Sequence, residues 1–136
     1  MRSRVAFVVV AVLVLLAAGC HQKQAYQGVQ LSVLGVQRVG ELRSSGPITA
    51  VRTGEGFEFA VVRLEITWPA AQQELPLDRT QVQLSDAQGE KYEPAVWALA
   101  PLSSGGKSTT VEEIPFRVPR GRQLKTFCVG QTCFNL

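Results

Sequence analysis

Histidine and methionine are almost missing from this chain, with one of each, His21 and Met1. A Ser-His-Asp hydrolase needs an imidazole beside its nucleophile. His21 adjoins Cys20 near the start of the chain, a poor position for a core active site. The same count excludes a histidine-rich metal centre and copper carriage through Met and His ligands, so neither a metal nor any other cofactor is expected. An excess of either charge is also missing. Arg2 and Arg4 lie in residues 1–19, so the 14 Lys+Arg of the whole chain fall to 12 beyond them, against 11 Asp+Glu, a balance of +1. Nucleic-acid binding needs a clustered basic face, and nucleic acid is not an expected partner. After Cys20 there is no convincing helical stripe, no internal repeat and no low-complexity stretch.

The opening residues carry a clear signal. Arg2 and Arg4 precede fourteen uncharged residues, Val5–Ala18, and the run ends in Leu16-Ala17-Ala18-Gly19-Cys20. A helix of that length covers about 21 Å at 1.5 Å per residue, short of the ~30 Å hydrocarbon core. A charged start, an apolar middle and small residues before a cut make a secretory signal. The stretch resembles a bacterial lipoprotein precursor, with Ala17 where leucine is commoner. The resemblance implies a signal peptide over 1–19 and a diacylglyceryl group on Cys20, which becomes the new N-terminus. Two or more acyl chains, palmitate for example, hold a protein stably at a membrane. Residues 20–27 are then expected to be a lipidated tether. His21 rather than aspartate after Cys20 favours the outer membrane if the source is Gram-negative.

Of 136 residues, 117 remain beyond residue 19, enough for one domain with one core, set at 28–136. With Cys20 lipidated, two cysteines are left, Cys128 and Cys133, and an even pair in an exported chain suggests a disulfide. Gly130-Gln131 suits a two-residue type II′ turn. Val129 then faces Thr132 and Cys128 faces Cys133, about 4.5 Å apart at Cα, within bridging range. A redox-active pair is disfavoured because no helix start is evident to stabilise a thiolate.

Apolar residues recur at spacing two: Ala60, Val62, Leu64, Ile66 and Trp68 in one long strand over 57–68, with Val61, Arg63, Glu65 and Thr67 between them. Val29, Leu31 and Val33 repeat the pattern, as do Val82 and Leu84, and Ile114, Phe116 and Val118. Pro115 marks the last run as an edge or a bulge. Tyr92 starts a further strand that resumes at Val96-Trp97, and Leu124 and Phe127 lead into the cysteine hairpin. Gly- and Pro-rich turns separate these runs. The expected fold is all-β: an immunoglobulin-like antiparallel sandwich of seven or eight strands, with a small closed barrel as the alternative.

The segment Gly56-Phe57-Glu58-Phe59-Ala60-Val61-Val62, the Leu84-Ser85-Asp86-Ala87-Gln88-Gly89 hairpin and Phe116-Arg117-Val118-Pro119 carry a second resemblance. From Val29 to Phe127 the chain looks like a family of uncharacterised bacterial surface domains with a telokin-like, immunoglobulin-like sandwich. Trp68-Pro69 stands where that family often has asparagine. The resemblance implies an extracytoplasmic location and binding or structural work, with no catalytic residues to carry over.

Little chemistry is left. Glu112 and Glu113, neighbours on a strand, point to opposite faces and do not share a proton. Asp86-Ala87-Gln88-Gly89-Glu90 reads as a turn rather than a calcium loop, which needs ligands at many positions. Arg117, Arg120, Arg122 and Lys125 form the one basic cluster. With Trp68 and Trp97, Arg117, Arg120 and Arg122 are the candidate surface for a ligand or partner. The expected function is non-enzymatic: protein–protein interaction or envelope assembly by a lipid-anchored domain, or else small-ligand or glycan binding, with an envelope protein or glycan as partner.

Overall fold

The long alternating run forms the central strand of one sheet. In the computed structural model, which describes residues 22–43, 50–95 and 102–136, this strand is β5 (Phe57–Thr67). It pairs antiparallel with β2 (Val29–Val39) on one side and β10 (Thr109–Pro119) on the other. A short strand, β1 (Lys23–Tyr26), closes onto β2 through a tight turn. Gln27 and Gly28 both have positive φ, 45° and 84°, as a type I′ hairpin requires. The sheet order is β1-β2-β5-β10. The second four-stranded sheet, in the order β12-β11-β7-β8, holds β7 (Val82–Asp86), β8 (Lys91–Tyr92), β11 (Leu124–Val129) and β12 (Thr132–Asn135). Two ribbons complete the set: β3 (Glu41–Arg43) with β4 (Ala50–Arg52), and β6 (Glu74–Leu75) with β9 (Leu102–Ser103). The main sheets thus hold eight strands, within the expected seven or eight. The ribbon strands are too short to show a period.

Ala60, Val62, Leu64 and Ile66 point inward from β5, against Val82 and Leu84 of β7 and Phe127 and Val129 of β11. Ile114, Phe116 and Val118 join from β10. The Phe116 and Phe127 rings, one from each sheet, meet edge to face at 6.1 Å between centroids. Burying such side chains stabilises by ~1.5–3 kcal/mol each. β5 is covered on its other face too. Phe59 and Val61 are 2% and 6% exposed, and β3 packs against the strand. The half-buried reading therefore holds only for its polar second half, at Arg63 and Glu65.

The main sheets touch along both sides. On one side, the Gln24 side chain donates to Cys133 O at 2.5 Å and Thr132 Oγ1 donates to Ala25 O at 3.2 Å. On the other, Pro94 bridges to Phe116 and Ala95 N donates to Pro115 O at 3.0 Å. The Pro115 carbonyl therefore faces away from β5, and so does its hydrogen-free nitrogen. Proline costs the sheet no ladder bond there, and β10 is the edge strand expected. The result is a sandwich with covered sides.

Two further expectations change. The tether assigned to residues 20–27 is largely structured, since Lys23–Tyr26 is a sheet strand. Its sequence, Lys-Gln-Ala-Tyr, shows no apolar alternation, because its hold is cross-strand pairing and side-chain bonds to β12. Trp68 is 4% exposed and its indole N–H donates to Thr110 Oγ1 at 2.8 Å, so it belongs to the core and leaves the candidate surface. Cys20, Trp97 and the strand resumption at Val96-Trp97 lie outside the described residues.

Candidate functional site

The cysteine hairpin fixes one side of the site. Gly130 has φ 59° and Gln131 is not left-handed, the signature of the expected type II′ turn. Val129 pairs with Thr132, and Cys128 with Cys133. The two sulfurs are bonded, with Cα atoms 4.1 Å apart. The Gly130 Cα lies against Tyr26 of β1, where an added Cβ would sit 3.1 Å from the ring. The hairpin therefore locks β12 to the first strand, and the disulfide has a structural setting.

β1 covers only the start of β2. Its register ends at Lys23 opposite Ser32, so from Val33 onward β2 has no strand partner on that side among the described residues. There the pairing of β2 with β5 slips between Val33 and Gly35, leaving Leu34 as the extra residue of a bulge. Between the two sheets at this point lies an open cavity of about 470 Å³, within the size range of small-molecule sites. Val33, Val36, Leu124, Phe134 and Leu136 supply apolar wall, and Gln22, the first described residue, lines it together with Gln123 and Asn135.

A charged network extends from the cavity wall at Arg38. Arg38, which also lines the cavity, donates from Nη1 to Glu58 Oε1 and from Nη2 to Arg122 O, both at 2.5 Å. Glu58 Oε1 also accepts from Gly121 N at 3.1 Å. Burial pushes the Glu58 carboxyl up, but the Arg38 and Gly121 hydrogen bonds outweigh it and hold the group below its usual value. Arg122 reaches to the β7–β8 hairpin, bonding Gln88 Oε1 and lying 3.5 Å from Asp86 Oδ2. Asp86 is 1% exposed. Its Oδ1 accepts from Gln88 N and Glu90 N, and its Oδ2 from the Tyr92 hydroxyl at 2.7 Å. The Tyr92 hydroxyl, the two N–H groups and Arg122 hold its pKa down against burial. Burial and the Asp86 carboxylate push Tyr92 well above the ordinary tyrosine value. A carboxylate so fully occupied is a poor base, and its chemistry is that of a knot tying a turn, as read from the sequence.

The basic cluster does not form one free face. Arg117 lies over the Phe57 ring at 3.6 Å and donates to Thr53 O at 3.1 Å, on the outer face of the first sheet. Arg122 turns instead toward the other sheet, and the Arg120 backbone N–H donates to Gly56 O. Glu112 and Glu113 diverge as expected. Glu113 pairs with Arg63 at 3.7 Å on the outer face, while burial pushes the Glu112 carboxyl upward. The cavity itself escaped the sequence reading. Gly35 inside a strand was its one available sign, since such a glycine marks a bulge.

Sheet order and cavity define an antiparallel β-sandwich with an open pocket between its layers. One solved structure shares this fold, an uncharacterised β-sandwich protein from Clostridium difficile 630. It matches at TM-score 0.55 and 10% identity, over 85% of this chain and 88% of that one. At that identity the likeness is one of fold alone. No protein-family model and no curated protein matches the chain.

Proposed function

We propose that the protein is a lipid-anchored, extracytoplasmic β-sandwich without enzymatic activity, which presents its domain to a partner in protein–protein interaction or envelope assembly. The observation that carries the reading is spacing. The signal-like run ends at Cys20, and β1 begins at Lys23, so His21 and Gln22 alone separate the lipidation site from the fold. Three residues reach at most ~11 Å. The domain would ride directly on the membrane with its β1–β12 side and cavity turned toward the lipid. Membership of the telokin-like surface-domain family is part of the proposal. The β7–β8 hairpin around Asp86 and Gly89 and the Phe116–Pro119 end of β10 are the features that support it.

The surface offered to a partner in this reading is the uncovered end of the first sheet's outer face, where Val111 is 43% exposed. The test is photo-crosslinking in cells from benzoylphenylalanine at Val111. A discrete protein adduct that an unrelated lipoprotein does not give is expected. No adduct beyond that background contradicts partner display. Cys20→Ala should move the protein out of the membrane fraction, and unchanged membrane residence would contradict the anchor. The small-ligand reading has one observation in its favour, the cavity. The residues expected to build a glycan platform do not converge among the described positions.

A further inference from the structure

We propose that the cavity between the sheets holds one acyl chain of the lipid on Cys20. The inference rests on the lipoprotein reading above and gives the cavity an occupant. Gln22 lines the cavity, and Cys20 is two residues before it. Chain length alone limits the separation of their Cα atoms to ~7 Å. A lipid on Cys20 thereby starts within reach of a cavity-lining residue whatever path the chain takes.

The described lining mixes polar side chains, Gln22, Arg38, Gln123 and Asn135, with five apolar ones, and the apolar group is the part a hydrocarbon would contact. Val33 and Val36 from the unpaired part of β2 face Leu124, Phe134 and Leu136 from the second sheet. Among the described residues of the lining, the one charged side chain is Arg38. Its Nη1 and Nη2 donate to Glu58 and to the Arg122 carbonyl, and the Glu58 carboxylate offsets its charge. An unbranched acyl chain asks for no hydrogen bond and adapts to an irregular slot. It gains about 0.8 kcal/mol for each methylene buried. The cavity and the bilayer therefore compete for the same chain. A single chain in a membrane anchors only marginally, while two hold stably. Withdrawing one chain into the fold would weaken membrane residence and shield the withdrawn chain from water.

The test uses the full chain made in cells fed a diazirine-bearing fatty acid, which enters the phospholipids that supply the Cys20 lipid. After irradiation, membrane-extracted protein is digested and its cross-links are read by mass spectrometry. The expected product joins the N-terminal lipopeptide to peptides containing Val33–Val36 or Leu124. Val36→Trp, which fills the slot, should lose that product while keeping the label on Cys20, and should leave vesicles more slowly than the wild type. A labelled Cys20 cross-linked only to bulk lipid would overturn the proposal and leave the anchor intact. Phospholipid adducts on the cavity peptides, not joined to the N-terminus, would overturn it in favour of a free lipid ligand. An unlabelled Cys20 would overturn the lipid anchor itself and this proposal with it.

Discussion

Asp86 is a buried charge that the fold keeps charged. Its folded pKa lies below the ordinary value, chiefly through the Tyr92 hydroxyl. Its contribution is fully present above the unfolded aspartate value of ~3.9 and is lost as pH falls through the lower folded value. Asp86→Asn should lower the thermal midpoint at neutral pH and flatten its decline in acid. Melting curves of both proteins across the acid range check this, and parallel curves would contradict it. Glu112 has the opposite sign. Burial raises its folded pKa, so its contribution is most favourable below the unfolded value and falls as pH rises through the folded one. Glu112→Gln should therefore raise the thermal midpoint at neutral pH and make little difference in acid. The roles of these carboxylates were only partly legible in the sequence. The turn at Asp86 was plain from Asp and Gly spacing, and the opposed faces of Glu112 and Glu113 from strand alternation. The donors from Tyr92 and Arg122 depend on how two hairpins meet, which no local pattern encodes.

Among the elements, local chemistry wrote the cysteine hairpin almost completely. Gly130 supplies the positive φ, and pairing follows from loop length. The contact with Tyr26 did not show, because it joins residues more than a hundred positions apart. Gly130→Ala should destabilise by about 1–2 kcal/mol, the cost of a left-handed backbone for an L-residue, with further loss from crowding the Tyr26 ring. Urea unfolding measures it. The disulfide closes a loop with a sequence separation of 5, worth about 2 kcal/mol in the chain-entropy treatment. Cys128→Ser with Cys133→Ser should lower stability by about that much while the far-ultraviolet circular dichroism of a folded β domain persists. Strand β1 and the bulge at Leu34 stayed hidden for the same physical reason as the Tyr26 contact. Lys-Gln-Ala-Tyr is held by a neighbouring strand and by the β12 backbone, and Leu34 is extra only relative to β5. Their combined effect, a gap between sheets, is a property of three chain segments together.

At the scale of the whole molecule, the sandwich was legible because period-two alternation ran through β2, β5, β7 and β10, and turn residues separated the runs. The pairing order of the strands was not, since it depends on which hairpins share a sheet. The central claim joins the two ends of the argument: a membrane anchor at Cys20 and a disulfide-locked domain that begins almost at once. Intact mass of the membrane-extracted protein, with and without reduction, tests it most directly. The account predicts a chain beginning at Cys20, heavier by its acyl groups, that gains two hydrogens when the Cys128–Cys133 bond is reduced. A chain that retains residues 1–19, or a soluble one beginning at Cys20 without added mass, would contradict it.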